Sequence, residues 1–254
     1  MSEFDWSVLG APLIAGLLVT ATHVVLGRRV LERGIIFIDL SIAQVAALGA
    51  VIAGSFGWEG ESMAAHVAAL GAALGAAGLL AWTERRWPDI QEALIGCLYV
   101  VAASVALLVL ANNPHGAEQM QTLLSGQILW VHDTHVAVTG ALYALVLAAW
   151  WAGLRRRAGA FYVLFAITVM ASVELVGVFL VFATLILPAL AAHGLPERRG
   201  LSVGYAIGAS AYALGLWLSV RFDLPAGPLI VCSLAGLALA AAIVRHFVKA
   251  PARN

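Results

Sequence analysis

Three polar side chains stand out in the apolar stretch "GIIFIDLSIAQVAALGA" at residues 34–50, namely Asp39, Ser41 and Gln44. Ionisable and amide groups are costly inside a bilayer, where they mark a transport pathway or a contact between helices. Ser41 and Gln44 share one helix face, whereas Asp39 lies about 140° away from Gln44 around the helix. We predict that Asp39 and Gln44 line a polar pathway. The alternative is an ion pair from Asp39 to a neighbouring arginine and a helix–helix contact at Gln44.

A further carboxylate interrupts the long apolar run of residues 160–193, within the sequence "SVELVG". Glu174 has no basic neighbour in sequence, and a buried carboxylate needs a partner or a proton. A broken helix that carries such a group is a common way to build an ion pathway. We predict that Glu174 lines the pathway, with exposure at the tip of a helical hairpin as the alternative. His23 and His66 are further polar candidates within predicted spans.

The sequence "WVHDTH" places His132, Asp133 and His135 together at the start of another apolar run. His132 and His135 are three residues apart and would face one ion if the segment were helical. Imidazole and carboxylate ligands suit zinc, iron or manganese. We therefore predict a metal entrance site here, to which His115 and Glu118 of the preceding segment could contribute. The alternative is that these side chains are simply solvated.

The elements that must position these side chains are membrane spans. The chain of 254 residues is 62% hydrophobic and only 11% charged, with a mean hydropathy of +0.95, whereas a soluble domain is about one-quarter charged. Since about 20 apolar residues cross a bilayer, the sequence predicts an all-α polytopic bundle that forms one domain over residues 1–254. The predicted spans lie near 7–27, 34–56, 63–83, 92–112, 134–154, 160–175, 177–193, 201–220 and 226–247. The split of 160–193 into two spans leaves a kinked helix or a re-entrant pair as alternatives.

The basic residues orient this bundle. With the N-terminus outside and nine crossings, 13 of the 14 basic residues fall at cytoplasmic ends, and only Arg221 lies outside. This is the distribution that the positive-inside rule requires. The 13 residues are Arg28, Arg29, Arg33, Arg85, Arg86, Arg155, Arg156, Arg157, Arg198, Arg199, Arg245, Lys249 and Arg253.

Several other functions are disfavoured. The sequence contains no GxxxxGK[ST] phosphate loop and no HExxH, and its GxSxG spacing, "GLSVG" at 200–204, falls at the start of a predicted span, so we expect no enzyme activity. The formal net charge is zero, which offers no argument for nucleic acid as a partner. Cys97 and Cys232 lie within apolar runs and predict neither a disulfide framework nor a CxxC metal site. The acidic start "MSEFDW" is not typical of a signal peptide.

Three segments appear in an order that is similar to a known family: "RRVLERGIIFIDLSIAQVAALGAVIAG", "ASVELVGVFLVFATLILPALAAH" and "FDLPAGPLIVCSLAGLALA". "VGVFLVFATLILPALAA" at 176–192 is the strongest match, followed by "PAGP" at 225–228 and "EALIGCLYVVAAS" at 92–104. Over about residues 20–245 the chain resembles the membrane permeases of metal-ion ABC importers of the zinc, manganese and iron type.

The resemblance implies a permease subunit, not itself an enzyme, that moves a divalent metal across a prokaryotic plasma (inner) membrane. It implies a homodimer and a separate cytoplasmic ATP-binding-cassette ATPase that uses the ATP. It also implies an extracytoplasmic metal-binding protein that delivers the metal, and no permanently bound cofactor.

Two departures from the family pattern bear on the substrate and the coupling. The family usually carries Asp and His four residues apart in its second helix, and alignment on Gly49 places Leu40 and Gln44 there, with Asp39 one residue out of register. The cytoplasmic loop "LRRRAGAFY" is also short, which leaves 84–91 or 193–200 as docking sites for an ATPase. The alternatives are therefore a permease for a metal chelate, and an ATP-independent carrier or assembly partner.

Overall fold

The computed structural model describes residues 7–58, 62–110, 126, 128–154 and 157–249. Within these ranges the chain forms nine α-helices and no strand, and eight of the helices are long and apolar enough to cross a membrane. The prediction of an all-α polytopic bundle is thereby confirmed. The helices are α1 (Ser7–Arg33), α2 (Ile38–Ser55), α3 (Met63–Arg86), α4 (Gln91–Leu110), α5 (Asp133–Trp151), α6 (Ala158–Val176), α7 (Val178–Ala191), α8 (Glu197–Phe222) and α9 (Ala226–Lys249).

One end of the bundle, which we call the basic end, collects the arginines. Arg33 at the end of α1 approaches Glu84 at the end of α3, with Nη1 and Oε1 3.4 Å apart. Arg245 of α9 donates to the carbonyl of His193 in the turn between α7 and α8, at 2.8 Å. Consecutive helices therefore alternate in direction, and every basic residue with a described side chain except Arg221 lies toward the basic end.

The other end of the bundle, which we call the opposite end, carries the break between α6 and α7. Gly177 adopts φ +83°, a backbone conformation that favours glycine, and it separates the two helices by a single residue. Gly126 packs directly on this break, because a Cβ on it would lie 2.1 Å from the carbonyl oxygen of Val176. The predicted split of residues 160–193 at "SVELVG" is thus observed. Helix α7, only 14 residues long, returns to the basic end, where Arg245 donates to the carbonyl of Ala191.

The broken pair α6 and α7 occupies the interior of the bundle. Helix α2 packs against α3, α4 and α6, while α1 packs against α7 and α8. Small residues allow the close approach of α1 and α8, since a Cβ on Gly208 would lie 2.4 Å from Thr20. By contrast α4, α5 and α9 are largely exposed and present apolar side chains outward. The central helices therefore position the polar groups, and the outer helices form much of the apolar outer surface.

Candidate functional site

The polar residues of α2 are enclosed by the protein. Asp39, Ser41 and Gln44 are each at most 2% exposed. Asp39 lies in the first turn of α2, where the positive end of the helix dipole favours a carboxylate. Neither of its carboxylate oxygens has a hydrogen-bond partner in the part of the chain that the structure describes. Asp39 is thus a buried acceptor at the basic end.

The alternative of an ion pair from Asp39 to a neighbouring arginine is not what the structure shows within the described residues. Arg33, the nearest arginine in sequence, pairs instead with Glu84. Its guanidinium also lies over the ring of Phe161, 4.4 Å from the ring centre. These contacts hold Arg33 between α1, α3 and α6, so it contributes to helix packing.

Glu92, at the start of α4, is a residue of this region that we did not single out from the sequence. Its Oε1 accepts a hydrogen bond from the backbone amide of Phe37 at 3.3 Å, just before α2 begins. Its negative charge also lies close enough to Asp39 to repel the carboxylate of that residue. Two carboxylates from different helices therefore lie near each other at the basic end. The available signal was a glutamate directly before the apolar run of α4.

Glu174 has a partner at the opposite end. It lies in the last turn of α6, and its Oε2 is 3.7 Å from Nε2 of His66 in the first turn of α3. Both side chains are partly exposed, at 43% and 36% respectively. His135 also interacts electrostatically with Glu174. The carboxylate thus lies near the tip of the helical hairpin, which was the alternative interpretation of the sequence. It is also one member of a histidine–carboxylate pair.

The segment "WVHDTH" is only partly helical. His132 is the N-cap residue with an extended backbone, and α5 begins at Asp133, so the two histidines do not sit on one continuous helix. His132, Asp133 and His135 are all exposed. Across the described ranges, no three His, Cys, Asp or Glu side chains are grouped so that they could hold a metal ion. His115 and Glu118 lie outside the described residues.

Two pairs of buried hydroxyl groups join neighbouring helices. The hydroxyl of Tyr143 on α5 lies 2.5 Å from that of Ser172 on α6, and the hydroxyl of Tyr212 on α8 lies 2.9 Å from that of Thr184 on α7. His23 is fully buried on α1, with Nδ1 2.9 Å from the carbonyl of Val19. The two hydroxyl pairs hold helices together within a bilayer, so we assign them to packing. The His23 contact lies within α1, and Nε2 of His23 has no hydrogen-bond partner among the described residues.

A bundle of apolar helices whose described carboxylates all lie near its two ends is typical of a multi-pass membrane protein. A family model agrees with this class. The chain belongs to the ABC 3 transport family, whose model matches residues 6–157 and 154–245. The resemblance inferred from the sequence is confirmed at this level, and so is the assignment to the membrane as a multi-pass protein.

Individual relatives are more distant. The chain is 27% identical over 163 residues to the chelated iron transport system membrane protein YfeC of Yersinia pestis. That match spans 56% of this chain and 55% of YfeC, so the chain spans about half the length of the curated relative it matches.

Two solved structures share the fold. PsaBC from Streptococcus pneumoniae, in complex with Fab, superposes with a TM-score of 0.74 at 20% identity, over 94% of this chain and 91% of the other. An ABC transporter described as metal-chelate type, in an inward-facing conformation, superposes with a TM-score of 0.65 at 16% identity, over 91% of this chain and 85% of the other.

Proposed function

We propose that the chain is the permease subunit of an ATP-driven ABC importer for a divalent metal cation of the zinc, manganese or iron class. The observation that carries the proposal is the family match over residues 6–245, in a chain with no phosphate-binding loop of its own. Transport is by alternating access, in which rigid groups of helices rock about a central pathway. Asp39, Gln44 and Glu174 line this pathway, and His132, Asp133 and His135 belong to its entrance.

The positions of the carboxylates support a route from the opposite end to the basic end. By the positive-inside rule the basic end is cytoplasmic. A metal delivered by an extracytoplasmic binding protein first meets the partly exposed carboxylate of Glu174. It leaves past the buried carboxylate of Asp39, whose oxygens are free of hydrogen bonds from the described residues and can accept a cation.

A second candidate function is import of a metal chelate. Leu40 and Gln44 occupy the positions where the family usually has an Asp/His pair, and neither is a strong ligand for a free ion. The names of YfeC and of the metal-chelate type transporter also refer to chelated metals. This observation favours a substrate that arrives with part of its coordination shell already filled.

The basic end supplies a rigid surface for a separate cytoplasmic ATPase. Arg28 of α1 donates to the carbonyl of Leu195 at 3.4 Å, and Arg245 of α9 donates to the carbonyls of Ala191 and His193. Two helices thus brace the turn between α7 and α8 and satisfy carbonyls that the end of α7 leaves unpaired. A braced turn transmits a push from the ATPase to α7, which favours docking on residues 193–200. The exposed apolar faces of α4, α5 and α9 are available for a second copy in a homodimer.

Co-expression with an ABC ATPase tests the proposal. We expect the two proteins to co-purify, and vesicles containing both to accumulate metal only with ATP. Parallel assays with the free ion and with its chelate separate the two candidate substrates. A stable chain that binds no ATPase, or that transports without ATP, would contradict the proposal and support a secondary carrier or an assembly partner.

A further inference from the structure

The pair formed by His66 and Glu174 joins two helices at the opposite end. His66 is fixed by the first turn of α3, in which the Ser62 hydroxyl caps the helix by accepting from the amide of Ala65 at 3.2 Å. Glu174 comes from the last turn of α6, which packs directly against α3. Both side chains remain accessible, so a solute ion can reach the space between them.

The hydrogen bond of the His66 ring sets its tautomer. Nδ1 lies 2.9 Å from the backbone carbonyl of Ser62, and a carbonyl oxygen can only accept. Nδ1 therefore carries the proton, and in the neutral ring the lone pair is on Nε2, the atom that faces Glu174. Histidines that bind metals are usually held in this way, with the other ring nitrogen donating to a carbonyl or a carboxylate.

The distance between the two facing atoms also suits a shared cation. At 3.7 Å, Nε2 and Oε2 are farther apart than a direct hydrogen bond of about 2.7–3.2 Å. Two ligands bound at about 2.1 Å to a tetrahedral zinc lie about 3.4 Å apart. A lone pair and a carboxylate that face each other at this distance are two acceptors, and a cation between them would satisfy both.

We propose that Nε2 of His66 and Oε2 of Glu174 form a capture site for a divalent transition-metal ion at the outer mouth of the permease. The site rests on the proposed function and adds His66 to it. Two protein ligands leave the remaining positions to water. A site with two protein ligands releases its ion readily, which is what a transit position in a pathway requires.

Cobalt(II) binding to the purified chain in lipid nanodiscs tests this site. We expect saturable binding by the wild type and at least about tenfold weaker binding by His66→Gln and by Glu174→Gln, since each removes one of two ligands. His193→Gln is the matched control, because His193 is an exposed histidine at the basic end, and its cobalt affinity should equal that of the wild type.

A second variant separates ligation from a structural role. His66→Cys supplies a thiolate at the same position, so it should bind cobalt with a sulfur-to-metal absorption band that the wild type lacks. A wild type with no saturable binding, an unchanged affinity in His66→Gln, or His66→Cys without the band would each overturn the site. If the wild type takes up metal but does not bind cobalt at this pair, the site is overturned and the proposed function stands. Binding at this pair by a chain that neither transports metal nor engages an ATPase overturns the proposed function and leaves the site standing.

Discussion

The two ends of the bundle are held together in different ways. At the basic end, arginines donate to backbone carbonyls and pair with Glu84, and these contacts tie α1, α3, α7 and α9 to one another. At the opposite end, the corresponding contact in the described part of the chain is the partly exposed pair of His66 and Glu174. Charged hydrogen bonds to backbone carbonyls stabilise a fold far more than exposed side-chain pairs do. The comparison predicts that the basic end is the more rigid of the two, and under the proposed function the opposite end is where a solute is exchanged.

The largest expected effect comes from replacing one arginine by alanine at each end of the bundle and comparing the losses of stability. Arg245→Ala removes the donors to the carbonyls of Ala191 and His193 and should lower the free energy of unfolding by about 2–4 kcal/mol. Arg221→Ala, at the opposite end, removes only an exposed guanidinium that lies 5.7 Å from the ring of Phe222, and should cost about 0.5 kcal/mol or less. Denaturant unfolding in detergent measures both. Equal losses would remove the contrast between the ends.

Removal of the carboxylate at the opposite end should act on transport while leaving the fold intact. We expect Glu174→Gln to reduce ATP-driven metal uptake at least about tenfold, because the amide is a much poorer ligand for a divalent cation. Assembly with the ATPase and the unfolding midpoint should not change, since Glu174 is partly exposed. Asp223→Asn is the matched control: an exposed carboxylate at the same end, in a left-handed conformation that asparagine tolerates. Normal uptake by Glu174→Gln would remove Glu174 from the pathway.

Replacement of the buried carboxylate of α2 should lower metal uptake without lowering the stability of the fold. Asp39 is 1% exposed and its oxygens have no hydrogen-bond partner among the described residues, so its burial costs free energy. Asp39→Asn should therefore leave stability unchanged or raise it by up to about 1 kcal/mol, while it lowers metal uptake. Thermal unfolding and uptake are measured on the same preparation. A clear loss of stability would instead identify Asp39 as a packing residue.

The fold was more predictable than the contacts at either end. Apolar runs about 20 residues long and the arginine distribution indicate the helices and their alternation, and Gly177 beside Glu174 marks the break. Helix α1 nonetheless continues to Arg33, beyond the predicted end at residue 27, because a helix can extend past the apolar core with charged residues. The partner of Glu174 was not predictable, because His66 lies on a helix that is distant in sequence, and nothing in its neighbours specifies which helix α3 packs against.

The three residues of the predicted entrance motif have different surroundings in the structure, and their substitution gives the smallest expected effect on metal uptake. His135 interacts electrostatically with Glu174. His132 and Asp133 are exposed side chains at the start of α5. His135→Gln should lower metal uptake about threefold, equivalent to about 0.6 kcal/mol, because it removes an imidazole that interacts with Glu174 and leaves the pair with His66 in place. His132→Gln should lower it less. Uptake at subsaturating metal measures both, and a larger loss in His132→Gln than in His135→Gln would move the entrance from the α3–α6 pair to the start of α5.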